Sequence, residues 1–162
     1  GEGVGLGPIV DALARARFDG QLIVICGRNE RLRRRLETRS DGLAMRVFGF
    51  VTNVAELMHA ADVVVTKGGP QTIAEALASG RPVVLTHELP GQEEGNGQYV
   101  ERHGVGYAAF TPSRVVRALQ RLRADRAECD RLAANARALR RPTAARDAAR
   151  AILELESTPI VC

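Results

Sequence analysis

Residues 62–96, DVVVTKGGPQTIAEALASGRPVVLTHELPGQEEGN, place two glycine-rich turns at the ends of two short strands rich in β-branched residues. The first strand, Asp62 to Thr66, runs into Lys67-Gly68-Gly69-Pro70, and the pattern predicts a helix from near Gln71 with Thr72 and Glu75 in its first turns. Backbone N–H groups are unpaired at such a helix start and the dipole is positive there, so an anion such as a diphosphate is stabilised without a dedicated cationic pocket. Glu75 falls about a turn further in. A carboxylate there can accept hydrogen bonds from the two vicinal hydroxyls of a ribose, as the acidic residue does in dinucleotide folds. Taken alone, the same residues read equally well as a plain turn followed by a helix-start acid.

A second motif shifts that balance. The strand from Pro82 to Thr86 leads into Pro90-Gly91-Gln92-Glu93-Glu94-Gly95-Asn96, a loop too polar for a core and too specific for a linker. In an open parallel sheet both loops leave the carboxyl ends of neighbouring strands, where such folds bind ligands. At these residues the chain resembles the donor-binding C-terminal domain of GT-B glycosyltransferases of the MurG type, and most closely the monogalactosyldiacylglycerol synthase and processive diacylglycerol glucosyltransferase branch. The resemblance rests on Gly1-Glu2-Gly3, on Val47 to Val51, on Thr66 to Leu77 and on Pro90 to Asn96, and covers roughly residues 1–110. It implies a UDP-sugar donor and inverting transfer of galactose or glucose, with diacylglycerol or a related lipid as acceptor. Carried over by position, it implies that Gly3 and the Gly68-Gly69 turn contact the diphosphate, at the nucleotide site to which the turn and helix start also bring Lys67, Pro70 and Thr72. It likewise assigns the backbone around Phe50 and Val51 to the uracil, Glu75 to the ribose, and Gln92, Glu93 and Asn96 to the hexose. Lys67 is the electrostatic catalyst expected within this chain. The general base and the acceptor pocket belong to an N-terminal domain or partner chain. No metal or other cofactor is implied.

Along the rest of the chain the hydrophobic period predicts helices over about 8–17, 28–39 and 95–103, and strands over 21–26, 44–50 and 106–110. Asn53 followed by Glu56 reads as a capping pair, and Thr111-Pro112 as a cap with proline at the first helical position. The βαβα order implies an α/β, Rossmann-like doubly wound parallel sheet. Residues 1–110 form its donor-binding core and residues 111–162 are helices completing the same domain. The family's first strand would end just before Gly1, so that strand is expected to be missing, as in a fragment, an incomplete gene or a subunit completed by a partner.

At 162 residues the chain has the size of one domain, and no apolar run approaches the roughly 18 residues of a membrane span. Cys26, Cys129 and Cys162 match neither a disulfide framework nor a metal site, which points to reduced thiols in a cytoplasmic protein. His59, His87 and His103 show no ligand spacing, and His87, which precedes the second loop, is given no donor contact. Of 23 basic residues 22 are arginine, a bias that fits a GC-rich bacterial genome. The single lysine, Lys67, stands inside the glycine turn, where a compact ammonium suits a phosphate. From Arg114 to Arg150 there are 11 arginines and 4 acids beside an apolar stripe of Val115, Val116, Leu119 and Leu122. The simplest reading is a solvated face; the sharper one is peripheral attraction to anionic lipid on the cytoplasmic membrane face. No aromatic residues interleave with these arginines, which argues against nucleic acid. Two further readings stay open. One is a UDP-sugar epimerase of GT-B fold, disfavoured by Pro90 to Asn96; the other is a non-catalytic, partner-dependent donor-binding subunit.

Overall fold

The computed structural model describes residues 5–141 and 143–156, with the side chains of 155 and 156 left aside. Gly3 and Cys162 lie outside these residues. Five parallel strands alternate with helices: α1 (Leu6–Arg15), β1 (Leu22–Ile25), α2 (Glu30–Glu37), β2 (Met45–Phe48), α3 (Val54–Ala60), β3 (Val64–Thr66), α4 (Pro70–Ala78), β4 (Val83–Leu85), α5 (Asn96–Arg102) and β5 (Gly106–Ala108). Three helices follow: α6 (Pro112–Ala124), α7 (Arg126–Leu139) and α8 (Ala144–Glu156). Each expected element is present, most of them trimmed at their ends, with α1 shifted two residues toward the N-terminus and α4 opening one residue earlier at Pro70.

β4 explains why the sheet must be covered on both sides. Val83, Val84 and Leu85 are all fully buried, and along a strand successive side chains point to opposite faces. Val84 accordingly packs with Ile9 and Leu13 of α1 and with Val115, Leu119 and Leu122 of α6. Val83 and Leu85 pack instead with Ile73 and Leu77 of α4, Val100 of α5 and Met58 of α3. An uninterrupted apolar run of this kind is what a parallel sheet buried on both faces demands. The apolar stripe of α6 therefore belongs to the core, and its arginines are left on the outside.

The strands form two pieces, β1–β2 and β3–β4–β5, with no strand among the described residues joining β1 to β3. In the doubly wound order the first strand occupies that position. β1 and β3, each at an unpaired edge of its piece, carry the partly exposed Ile23 and Val65.

Local capping follows the sequence with one correction. Thr111 accepts the N–H of Arg114, and Asn29 and Asp125 cap α2 and α7 in the same way. Asn53 and Glu56 do meet, but Asn53 Nδ2 donates to Glu56 Oε2 at 2.9 Å and caps no helix N–H. The two side chains satisfy one another because the amide can donate directly to the carboxylate.

Glu128, 8% exposed, joins α6, α7 and β5. It accepts from Arg121 Nε at 2.5 Å, Arg121 Nη2 at 2.8 Å and the Tyr107 hydroxyl at 2.5 Å. The Arg121 hydrogen bond, then that of Tyr107, holds its carboxyl below the ordinary glutamate range, while burial and then the bond to Glu128 push the Tyr107 phenol up to about 12. A depressed folded-state pKa gives stability that is present above the unfolded value and is lost as pH falls through the folded one. Glu128→Gln should cost about 1.5 kcal/mol at pH 7, the low end for hydrogen bonds to a charged group because Arg121 is largely solvated. In urea denaturation the difference from wild type should shrink progressively below about pH 4.

Candidate functional site

The turn after β3 is shaped by what lies against it. Gly68 is buried, and a Cβ there would stand 2.9 Å from Glu88 Cγ and 3.1 Å from the His87 carbonyl oxygen, so only glycine allows the β4–α5 loop to approach this closely. The Gly68 N–H donates to that His87 carbonyl at 2.7 Å, extending the Thr86 N–H to Thr66 O bond of 2.8 Å beyond the strands. Pro70 then opens α4 as its first residue, with Gly69 extended at the N-cap and no side chain capping the helix. Among the described residues nothing accepts from the backbone N–H of Gly69, Gln71 or Thr72. These three donors and the positive end of α4 face the same way, the arrangement that favours an anion at a helix start.

The second loop is fastened to the first by its own polar residues. Asn96 Nδ2 donates to the Gly68 carbonyl at 2.6 Å. Glu93, 5% exposed, accepts from Lys67 Nζ at 3.2 Å and from the Leu89 N–H at 3.0 Å. Glu88 accepts from the Gly97 N–H near the start of α5. Lys67 is thereby drawn back over Gly69, whose Cβ position lies 3.8 Å from Nζ. Burial pushes the Glu93 carboxyl up, but the Leu89 N–H and the Lys67 ammonium outweigh it, and the group sits below the ordinary range.

The structure thus brings together Lys67, Gly68, Gly69, Pro70 and Thr72 with Glu93 and Asn96. Gln92 is exposed on the same loop, and Asn96 Oδ1 keeps its acceptor capacity. Glu75 lies one turn along α4, exposed rather than turned toward the interior, and accepts from Gln71 Nε2 at 3.1 Å. Phe50 and Val51 follow β2, on the other piece of the sheet. His87 takes part through its backbone carbonyl, while its ring lies 3.2 Å from the Thr86 hydroxyl. Neither that carbonyl nor Glu88 carried any mark in the sequence, because their roles arise only when the loops meet. The described residues contain no cluster of His, Cys, Asp and Glu placed to hold a metal ion. The free cysteines Cys26 and Cys129 are buried, and burial raises both thiols.

A parallel sheet wound on both faces, with paired glycine loops at the carboxyl ends of adjacent strands, is a Rossmann-like domain, and solved glycosyltransferases share its fold. Its fold matches MurG of Acinetobacter baumannii with a TM-score of 0.69 at 21% identity, over 93% of this chain and 48% of that one. The glycosyltransferase of kitacinnamycin matches with a TM-score of 0.57 at 26% identity, over 80% and 34%. The chain belongs to glycosyltransferase family 28, whose C-terminal domain matches residues 9–152. Relatives include the chloroplastic monogalactosyldiacylglycerol synthase of Spinacia oleracea, 41% identical over 72% of this chain and 24% of that protein. The probable monogalactosyldiacylglycerol synthase 2 of Oryza sativa subsp. japonica is 37% identical over 98% of this chain and 36% of its own length. The chain spans about a quarter to a third of these relatives.

The Lys67–Glu93 pair makes a direct prediction. Lys67→Met removes an interaction that lowers the Glu93 pKa and leaves burial in place, so the Glu93 carboxyl should titrate at higher pH in the variant. Carbon-13 NMR of the side-chain carboxyl reads the shift, and an unchanged titration would show that the pair does not persist in solution.

Proposed function

We propose that this chain binds the UDP-sugar donor of an inverting hexosyltransferase that transfers galactose or glucose to diacylglycerol or a related lipid. The observation that carries the reading is the uncapped start of α4, with three free N–H donors and Lys67 beside them, buttressed by a loop of the type found in lipid glycosyltransferases. The diphosphate sits on the Gly68–Gly69 turn, with Pro70 and Thr72 at its margins, and the family resemblance adds Gly3 as a contact. Uracil meets the backbone around Phe50 and Val51, and Glu75 takes the ribose. Gln92 and Asn96 Oδ1 present free polar atoms to the hexose, with Glu93 behind them.

The chemistry asked of this chain is electrostatic. As the glycosidic bond to UDP breaks, negative charge grows on the diphosphate, and fixed donors aimed at it lower the barrier. Lys67 and the N–H groups of α4 supply that field without a metal. The general base and the acceptor pocket lie in an N-terminal domain or a partner chain. No helix among the described residues is long and apolar enough to cross a membrane. With the α6 stripe buried, contact with anionic lipid on the cytoplasmic face runs through the arginines outside it.

Incubating the full-length protein with UDP-galactose or UDP-glucose, with and without diacylglycerol, tests the reading: transfer should require the lipid. Conversion of one UDP-hexose into the other without acceptor would identify an epimerase instead. Glu75→Ala should weaken UDP binding about tenfold, the lower end for a hydrogen bond to a charged group given the exposure of Glu75. Calorimetry with UDP and 2′-deoxy-UDP should show that the variant no longer distinguishes them; a preserved preference would remove Glu75 from the ribose.

A further inference from the structure

One cation at the carboxyl edge of the sheet has no role in the site above. β1 and β2 end side by side, with Ile25 opposite Phe48 and the Cys26 N–H donating to the Phe48 carbonyl at 2.8 Å. Gly27 then takes a left-handed turn, φ 57°, and the chain leaves through Arg28 before Asn29 caps α2. The loop after β2 runs against this turn: a Cβ at Gly49 would meet the Gly27 carbonyl oxygen at 3.7 Å. Next along that loop, Phe50 is 68% exposed, and the guanidinium of Arg28 lies over its ring, 5.7 Å from the centroid. Among the described residues the Arg28 side chain has neither an ion pair nor a hydrogen bond.

Several other arginines of the chain are held by carboxylates. This one is held by an aromatic face, and the pair is turned to solvent at the end of the sheet where ligands of doubly wound folds bind. A guanidinium is planar, weakly hydrated and stacks on rings, and a cation resting on Phe is a ready surface for a second flat, polarisable group. We propose that Arg28 and Phe50 together form a stacking plate for the pyrimidine ring of the donor nucleotide. The inference rests on the donor reading, which brings the base to Phe50 and Val51 and the phosphates to the Gly68–Gly69 turn. It adds a residue that touches the base and none of the phosphates.

Binding of UDP, UMP and uridine to the full-length protein and its Arg28→Ala and Arg28→Lys variants, followed by NMR titration, tests it. Both variants should lose about tenfold for all three ligands, since base stacking in this range follows the plane of the plate more than its charge. Melting temperatures should not move, because Arg28 is exposed and makes no ion pair. Full binding by Arg28→Lys would show that charge alone matters and would overturn the plate. A loss for UDP with none for uridine would make Arg28 a phosphate contact, and no loss in Arg28→Ala would leave it a surface residue; either result overturns the proposal. A wild-type protein that binds no uridine nucleotide would instead refute the donor reading itself.

Discussion

The approach of two chain segments at Gly68 is the constraint on which the rest of the site depends. The β4–α5 loop passes where a side chain at 68 would have to go, and the backbone bond from Gly68 to His87 continues the β3–β4 ladder past the ends of the strands. Once the loops are this close, Asn96 can reach the Gly68 carbonyl and Glu93 can reach Lys67. The two glycine turns are then tied to one another, and the start of α4 keeps its free N–H groups because no side chain arrives to cap them. A preformed arrangement of this sort costs little reorganisation when charge develops on a bound group.

That pair of turns needs a rigid base. β4 supplies it, with three fully buried residues divided between the helices of the two faces. α6 and α7 reinforce the assembly from one side, and α7 reaches the opposite cluster through Ala136. The Arg121–Glu128–Tyr107 cluster ties both helices to β5, so the carboxyl ends of β4 and β5 are held from behind while their loops remain at the surface.

Much of this was legible in residue order. The contiguous apolar run Val83-Val84-Leu85, bounded by turns, fits a strand covered on both faces, and the α6 stripe marks a helix with one apolar face. Lys67-Gly68-Gly69-Pro70 announces a turn into a helix. The partners inside the site were less legible. A loop as polar as residues 90–96 reads by residue type as facing a ligand, yet Glu93 and Asn96 direct atoms toward Lys67 and Gly68, residues 26 and 28 positions away. Glu75 has the residue type and position of a ribose grip, but nothing in residue order tells that its place on the helix leaves it in solvent beside Gln71. Asn53 and Glu56 carry the spacing of a capping box, but spacing does not decide between a backbone N–H and a side-chain partner. Arg28 belongs to no motif; only the meeting of two loops sets it over Phe50.

The identity of the cation in the turn has a chemical consequence. Lys67 is the only lysine in these 162 residues and therefore their only side-chain primary amine. It is partly accessible, with 38% of its side chain exposed. An amine-selective reagent has one side-chain target in these residues, and a lysine-specific protease has one bond to cut, between Lys67 and Gly68. Both lie in the turn itself, so covalent labelling of that side-chain amine follows the accessibility of the turn.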